Sequence, residues 1–89
     1  MKSTVETTAF LKMVRRMIRA AGRRVAMANV TDLAELVAIR ADLDEAIQEA
    51  VTGLRNESVT WDEIGSVLGI SRQAAIKRYA TLENRGHKR

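Results

Sequence analysis

The fold turns on residues 60–79, which read TWDEIGSVLGISRQAAIKRY. Thr60 and Glu63 form a capping-box pattern, in which the hydroxyl and the carboxylate each take a backbone N–H of a first helical turn. The helix they open, Trp61–Leu68, is short, with Ile64, Val67 and Leu68 as its apolar contacts. Gly65 leaves room for a second helix to come close, and Gly69 can take the left-handed backbone that stops a helix. Ile70 then plugs the turn and Ser71 can cap the next helix. That helix runs through Ala74, Ala75, Ile76, Tyr79 and Leu82 and fades near residues 84–86.

A short helix, a three-residue turn containing glycine and a second helix make a helix-turn-helix. With Trp61 as the first of the motif's twenty positions, Gly65 takes the small fifth place and Gly69 the glycine of the turn. Ile64, Leu68 and Ile70 fall on the apolar fourth, eighth and tenth. Beyond the turn the pattern departs. Arg78 stands at the usually apolar eighteenth position, so Ile76 and Tyr79 are the side chains available to take over the packing. That substitution leaves the rotation of the second helix open.

The stretch TWDEIGSVLGISRQ, residues 60–73, resembles the fourth region of bacterial sigma factors. About half the chain, residues 36–79 (LVAIRADLDEAIQEAVTGLRNESVTWDEIGSVLGISRQAAIKRY), resembles small helix-turn-helix proteins of actinobacteria and their phages. In those a long acidic helix leads into a W-x-E-I-G…L-G-x-S-R-Q-A motif. The resemblance implies binding of double-stranded DNA and says nothing of the target.

The residues of the second helix carry the same implication on their own chemistry. Its first turn would enter the major groove. Arg72 has the fork that pairs with guanine and Gln73 the amide that pairs with adenine. Lys77, one turn beyond Gln73, can reach a base edge or a phosphate. Ser71 and the helix N-terminus suit a backbone phosphate, and Arg78 another. Ile76 either packs inward or meets a thymine methyl. Arg85, His87, Lys88 and Arg89 form a charged tail able to touch the backbone or to stay loose.

The rest of the chain is also helical in pattern. Phe10, Met13, Val14, Met17, Ile18, Ala21 and Val25 form one stripe of a helix over residues 7–27, with Lys12, Arg15, Arg16, Arg19 and Arg23 largely off it. Such a helix faces a core with a solvated basic back, lies along DNA backbone, or rests on an anionic membrane. The Arg-rich, acid-poor first two dozen residues have the look of a transit peptide, but so regular a stripe belongs to the folded domain. A second helix over residues 30–55 starts at an Asn29 cap and carries Leu33, Leu36, Leu43, Ile47, Ala50 and Leu54, widened by Val37, Ile39 and Val51. Arg40 interrupts the stripe and argues against a simple parallel zipper.

Charge follows the same division. Residues 1–28 carry a net charge of +6, residues 29–70 of −7 and residues 71–89 of +5, giving +4 in all. Opposite charges and a short connection favour an antiparallel hairpin of the first two helices. The expected architecture is all-α, a long N-terminal helical hairpin (1–56) for packing and dimerisation followed by a helix-turn-helix (57–89), in one continuous domain. With 89 residues, three aromatic residues and wide apolar stripes, a thin core favours a homodimer.

Other classes find little support. Cysteine is absent and histidine occurs once, at His87, so disulfides, thiolate metal sites and histidine triads are excluded. No catalytic group, cofactor or metal is expected, and the chain reads as a non-enzyme. The longest uncharged run is about eight residues, against the ~18 a membrane span needs. A cytoplasmic, nucleoid-associated transcriptional regulator is the expectation. The alternative is an interaction module that engages RNA polymerase or another regulator through its acidic helix or sigma-like motif.

Overall fold

A computed structural model describes the backbone of residues 4–87 and the side chains of residues 6–80. All regular structure in that range is helical: α1 Thr4–Ala26, α2 Asp32–Asn56, α3 Trp61–Leu68 and α4 Arg72–His87. The expected order is observed, a long pair followed by a short pair packed on each other. No helix among the described residues is long and apolar enough to cross a membrane. Lys88 and Arg89 lie outside the described residues, as do the side chains of Leu82, Arg85 and His87.

The chain divides into two compact units, Met1–Ala41 and Asp42–Arg89. The border falls inside α2, whose second half carries residues that pack with α3 and α4.

The first unit holds α1 and the start of α2. Arg23 and Arg24 close the last turn of α1, and Asp32 and Glu35 open α2, each suited to the dipole of its helix end. Asn29 acts differently from the expected cap. Its Oδ1 accepts the Thr31 N–H at 3.0 Å and the Thr31 hydroxyl at 3.1 Å. That is a turn closed by the side chain, and α2 begins only at Asp32. No described side chain of α1 is buried. Phe10 is 57% exposed and Met17 62%, so the expectation of a stripe facing a core is not met.

The second unit has the core: Val51, Trp61, Ile64, Ala75 and Ala80 are buried, with Ile47, Val59, Ile70, Ile76 and Tyr79 packed against them. Val51, outside the strict stripe, is the one buried residue of α2. Two polar contacts tie this half of α2 to the rest. Gln48 Nε2 donates to the Tyr79 carbonyl at 3.1 Å, and Arg55 Nη1 donates to the Val59 carbonyl at 3.1 Å. The Arg55 guanidinium also lies 4.8 Å from the centre of the Trp61 ring, within cation–π range.

The end of α2 is a Schellman stop. Val59 N–H donates to the Leu54 carbonyl at 3.0 Å and Ser58 N–H to that of Arg55 at 2.9 Å. Ser58 takes the left-handed position, at φ 73°. A serine there carries a Cβ penalty that glycine lacks, partly offset by glycine's greater freedom when unfolded. Ser58→Gly should therefore raise stability by about 0.5–1 kcal/mol in urea unfolding followed by circular dichroism, with the midpoint moving up and the slope unchanged.

Candidate nucleic-acid interface

The turn between α3 and α4 is built from local hydrogen bonds that the sequence announces. Thr60 N–H donates to Glu63 Oε1 at 2.8 Å, and Glu63 N–H donates to Thr60 Oγ1 at 3.1 Å, which completes the capping box. Gly69 ends α3 in the left-handed region, φ 73° and ψ 28°. Ile70 N–H donates to the Gly65 carbonyl at 2.9 Å and Gly69 N–H to that of Ser66 at 3.3 Å, a second Schellman stop. Ser71 Oγ then accepts the Ala74 N–H at 3.0 Å and caps α4.

Gly65 is small for a reason different from the one expected. A Cβ there would stand 2.7 Å from the Ile70 carbonyl oxygen and 3.1 Å from that of Ser71. What approaches Gly65 is the backbone of the turn itself, not a second helix.

Rotation of α4 is settled by what it buries. Ala75, Ile76, Tyr79 and Ala80 all face the core, one stripe along the helix. Ile76 is therefore a packing residue, and the thymine-methyl contact considered for it is not available. Tyr79 and Ile76 do the packing left undone by Arg78, which is exposed. Trp61 and Tyr79 sit between helices, as their apolar bulk suggests.

Ser71, Arg72, Gln73, Lys77 and Arg78 are all exposed, but they are not equivalent. Gln73 and Lys77 are one turn apart on the side of α4 away from the core stripe. Arg78 flanks them. Arg72 lies three and four residues before Ala75 and Ile76, so it leaves α4 on the side of α3. There its Nε comes to 4.0 Å from Asp62 Oδ1. Both side chains are well exposed, and such a contact adds little to stability. The Ser71 hydroxyl oxygen is already an acceptor for α4, which leaves its proton free to donate to a phosphate.

Val67 and Leu68 depart from expectation. They do not fill the core: Val67 is 85% exposed and Leu68 45%. Trp61, Ile64 and Gly65 take the inner face of α3, and Val67 falls well round from it.

The contributions of Gln48 and Arg55 escaped sequence reasoning. Polar residues on an acidic helix signal nothing about a carbonyl 31 positions away. Among the described residues no three His, Cys, Asp or Glu side chains are grouped so as to hold a metal ion. No known family model matches the chain, and neither a curated protein nor a solved structure matches it.

Gly65→Ala should push the turn away from α3 and cost about 1–3 kcal/mol, the range for overpacking a tight contact. The matched control is Gly53→Ala in the exposed last turn of α2, where a Cβ meets no atom within 4 Å. That change should stabilise by up to about 1 kcal/mol, through helix propensity alone. Thermal unfolding of the two variants reads both signs in one experiment.

Proposed function

We propose that this chain binds double-stranded DNA in a sequence-specific manner through α3 and α4, as a small transcriptional regulator acting as a homodimer. The observation that carries the reading is the outer face of α4. Gln73 and Lys77 stand exposed on one side of a helix whose first turn is held by a closed glycine turn and a serine cap. Arg72 and Arg78 stand beside them. This is the disposition in which a helix N-terminal half offers side chains to base edges while its flanks take phosphates.

The roles follow from the chemistry of each group. Gln73 pairs with adenine and Arg72 with guanine once its loose contact with Asp62 is exchanged for the base. Lys77 reaches a base edge or phosphate one turn further on. Ser71 and Arg78 hold the backbone. The residues from 71 onward carry a net +5, which draws the helix to the polyanion. Two copies would read half-sites about 34 Å apart, one turn of the duplex. The work is binding and not catalysis, done in the cytoplasm and on the nucleoid.

A second reading has its own observation. Asp42, Asp44, Glu45 and Glu49 are all exposed on α2, an acidic surface suited to a basic protein partner such as a face of RNA polymerase. Retention of polymerase subunits without salt-sensitive duplex binding would favour it.

Selection of bound duplexes from a random pool supplies the cognate site. On that site Arg72→Ala or Gln73→Ala should each weaken binding by about 1–3 kcal/mol and relax the choice of base at one position. Arg78→Ala should weaken all duplexes alike and lower the salt slope by about one. Wild-type discrimination between cognate and scrambled duplexes by both Arg72→Ala and Gln73→Ala would refute the groove assignment.

A further inference from the structure

We propose that the apolar groove between α2 and α3 is the seat of helix α1 from a second copy of the chain, so that two copies exchange α1 reciprocally. This deepens the homodimer reading and rests on it. The groove has a volume of about 440 Å³ and is lined by Ile47, Leu54, Val59, Ile64, Val67 and Leu68, among others. Val67 points out of α3 at 85% exposure, and nothing in the helix-turn-helix calls for an aliphatic residue there. On this proposal it is one half of a contact with α1.

The other half has a matching description. Phe10, Met13, Met17 and Ile18 stand exposed along one stripe of α1. An apolar helix face laid into an apolar groove is a recurrent mode of recognition, with anchors at steps of three and four. Methionines suit it, since their flexible thioethers fill an irregular surface. The stripe is exposed on the first unit and the groove is open on the second.

Charge selects this partner over the alternatives. The α1 segment, residues 1–28, carries +6, and residues 29–70, within which the groove's lining falls, carry −7. Glu63 lines the groove, and Asp44, Glu45, Glu49 and Glu57 stand exposed on α2 and at its exit. Pairing α1 with α1 would set +6 against +6. An anionic membrane would cover α1 but repel the acidic segment and leave the groove open. Exchange of α1 covers both apolar surfaces and brings opposite charges together. Each chain carries one stripe and one groove, so a reciprocal exchange between two copies covers both on each chain.

The absence of cysteine makes the test free of background. A Met17→Cys chain and a Val67→Cys chain of different tagged length are mixed and oxidised. The mixed disulfide should form in preference to either self-pair. Sedimentation should show a dimer for the wild type, and for Val67→Glu a dissociation constant raised at least tenfold with helicity unchanged. Because Val67 is exposed, that variant retains its fold.

Predominant self-pairing of Met17→Cys would overturn the exchange while leaving a dimer in place. A wild type that stays monomeric at every concentration would overturn both, and binding of that monomer to phosphatidylserine vesicles would assign the stripe to lipid. A chain that forms the mixed disulfide yet binds no duplex would support the exchange and remove the DNA reading.

Discussion

The close approach of the Ile70 and Ser71 carbonyls to Gly65 governs where α4 begins. With no Cβ at Gly65, the chain can double back within the three residues that follow Leu68. Gly69 takes the left-handed backbone, the Ile70 N–H returns to the Gly65 carbonyl, and Ser71 arrives positioned to cap. Every side chain proposed to meet DNA lies within seven residues of that cap, so their placement inherits its accuracy. The tightness has a physical source: carbonyl oxygens against a Cα leave no slack for a side chain.

A turn fixes where a helix starts but not how it is rolled about its axis. Roll is set by the second half of α2. Val51 supplies the apolar surface for a core that closes over Ala75 and Ala80, and the Gln48 amide holds the Tyr79 carbonyl from outside the helix. Arg55, bonded to Val59 and stacked near Trp61, keeps the connection to α3 in register. The helix-turn-helix is therefore a unit of three helices, and the boundary between compact units falls within α2 for that reason. Core members are few and mostly small. A domain built this way holds its geometry through polar ties and helix stops as much as through buried volume, and it gains from any partner that covers Val67 and Leu68.

Legibility differed sharply between kinds of contact. The capping box at Thr60, the stop at Gly69 and the cap at Ser71 join residues no more than five apart, so their residue types carry the whole signal. The stop at Ser58 uses the same bonds as the one at Gly69, yet serine does not advertise a left-handed backbone and the feature stayed hidden. Asn29 marked the start of α2 correctly but by a side-chain turn and not a cap. The candidate groove-facing set was readable as residue types, while the displacement of Arg72 toward Asp62 was not, because it depends on where α3 ends up.

By itself, the sequence determined four helices, their approximate limits, and the chemistry of the turn at residues 69–71. Those are consequences of periodicity and of backbone donors satisfied within one or two turns, which a chain carries wherever it folds. Only tertiary structure decided that Ile76 and Tyr79 face inward while Arg78 faces out, that Val67 stays uncovered, and that the stripe of α1 stands exposed. An apolar side chain is drawn out of water with no preference for which surface receives it. The receiving surface exists only once distant segments have met.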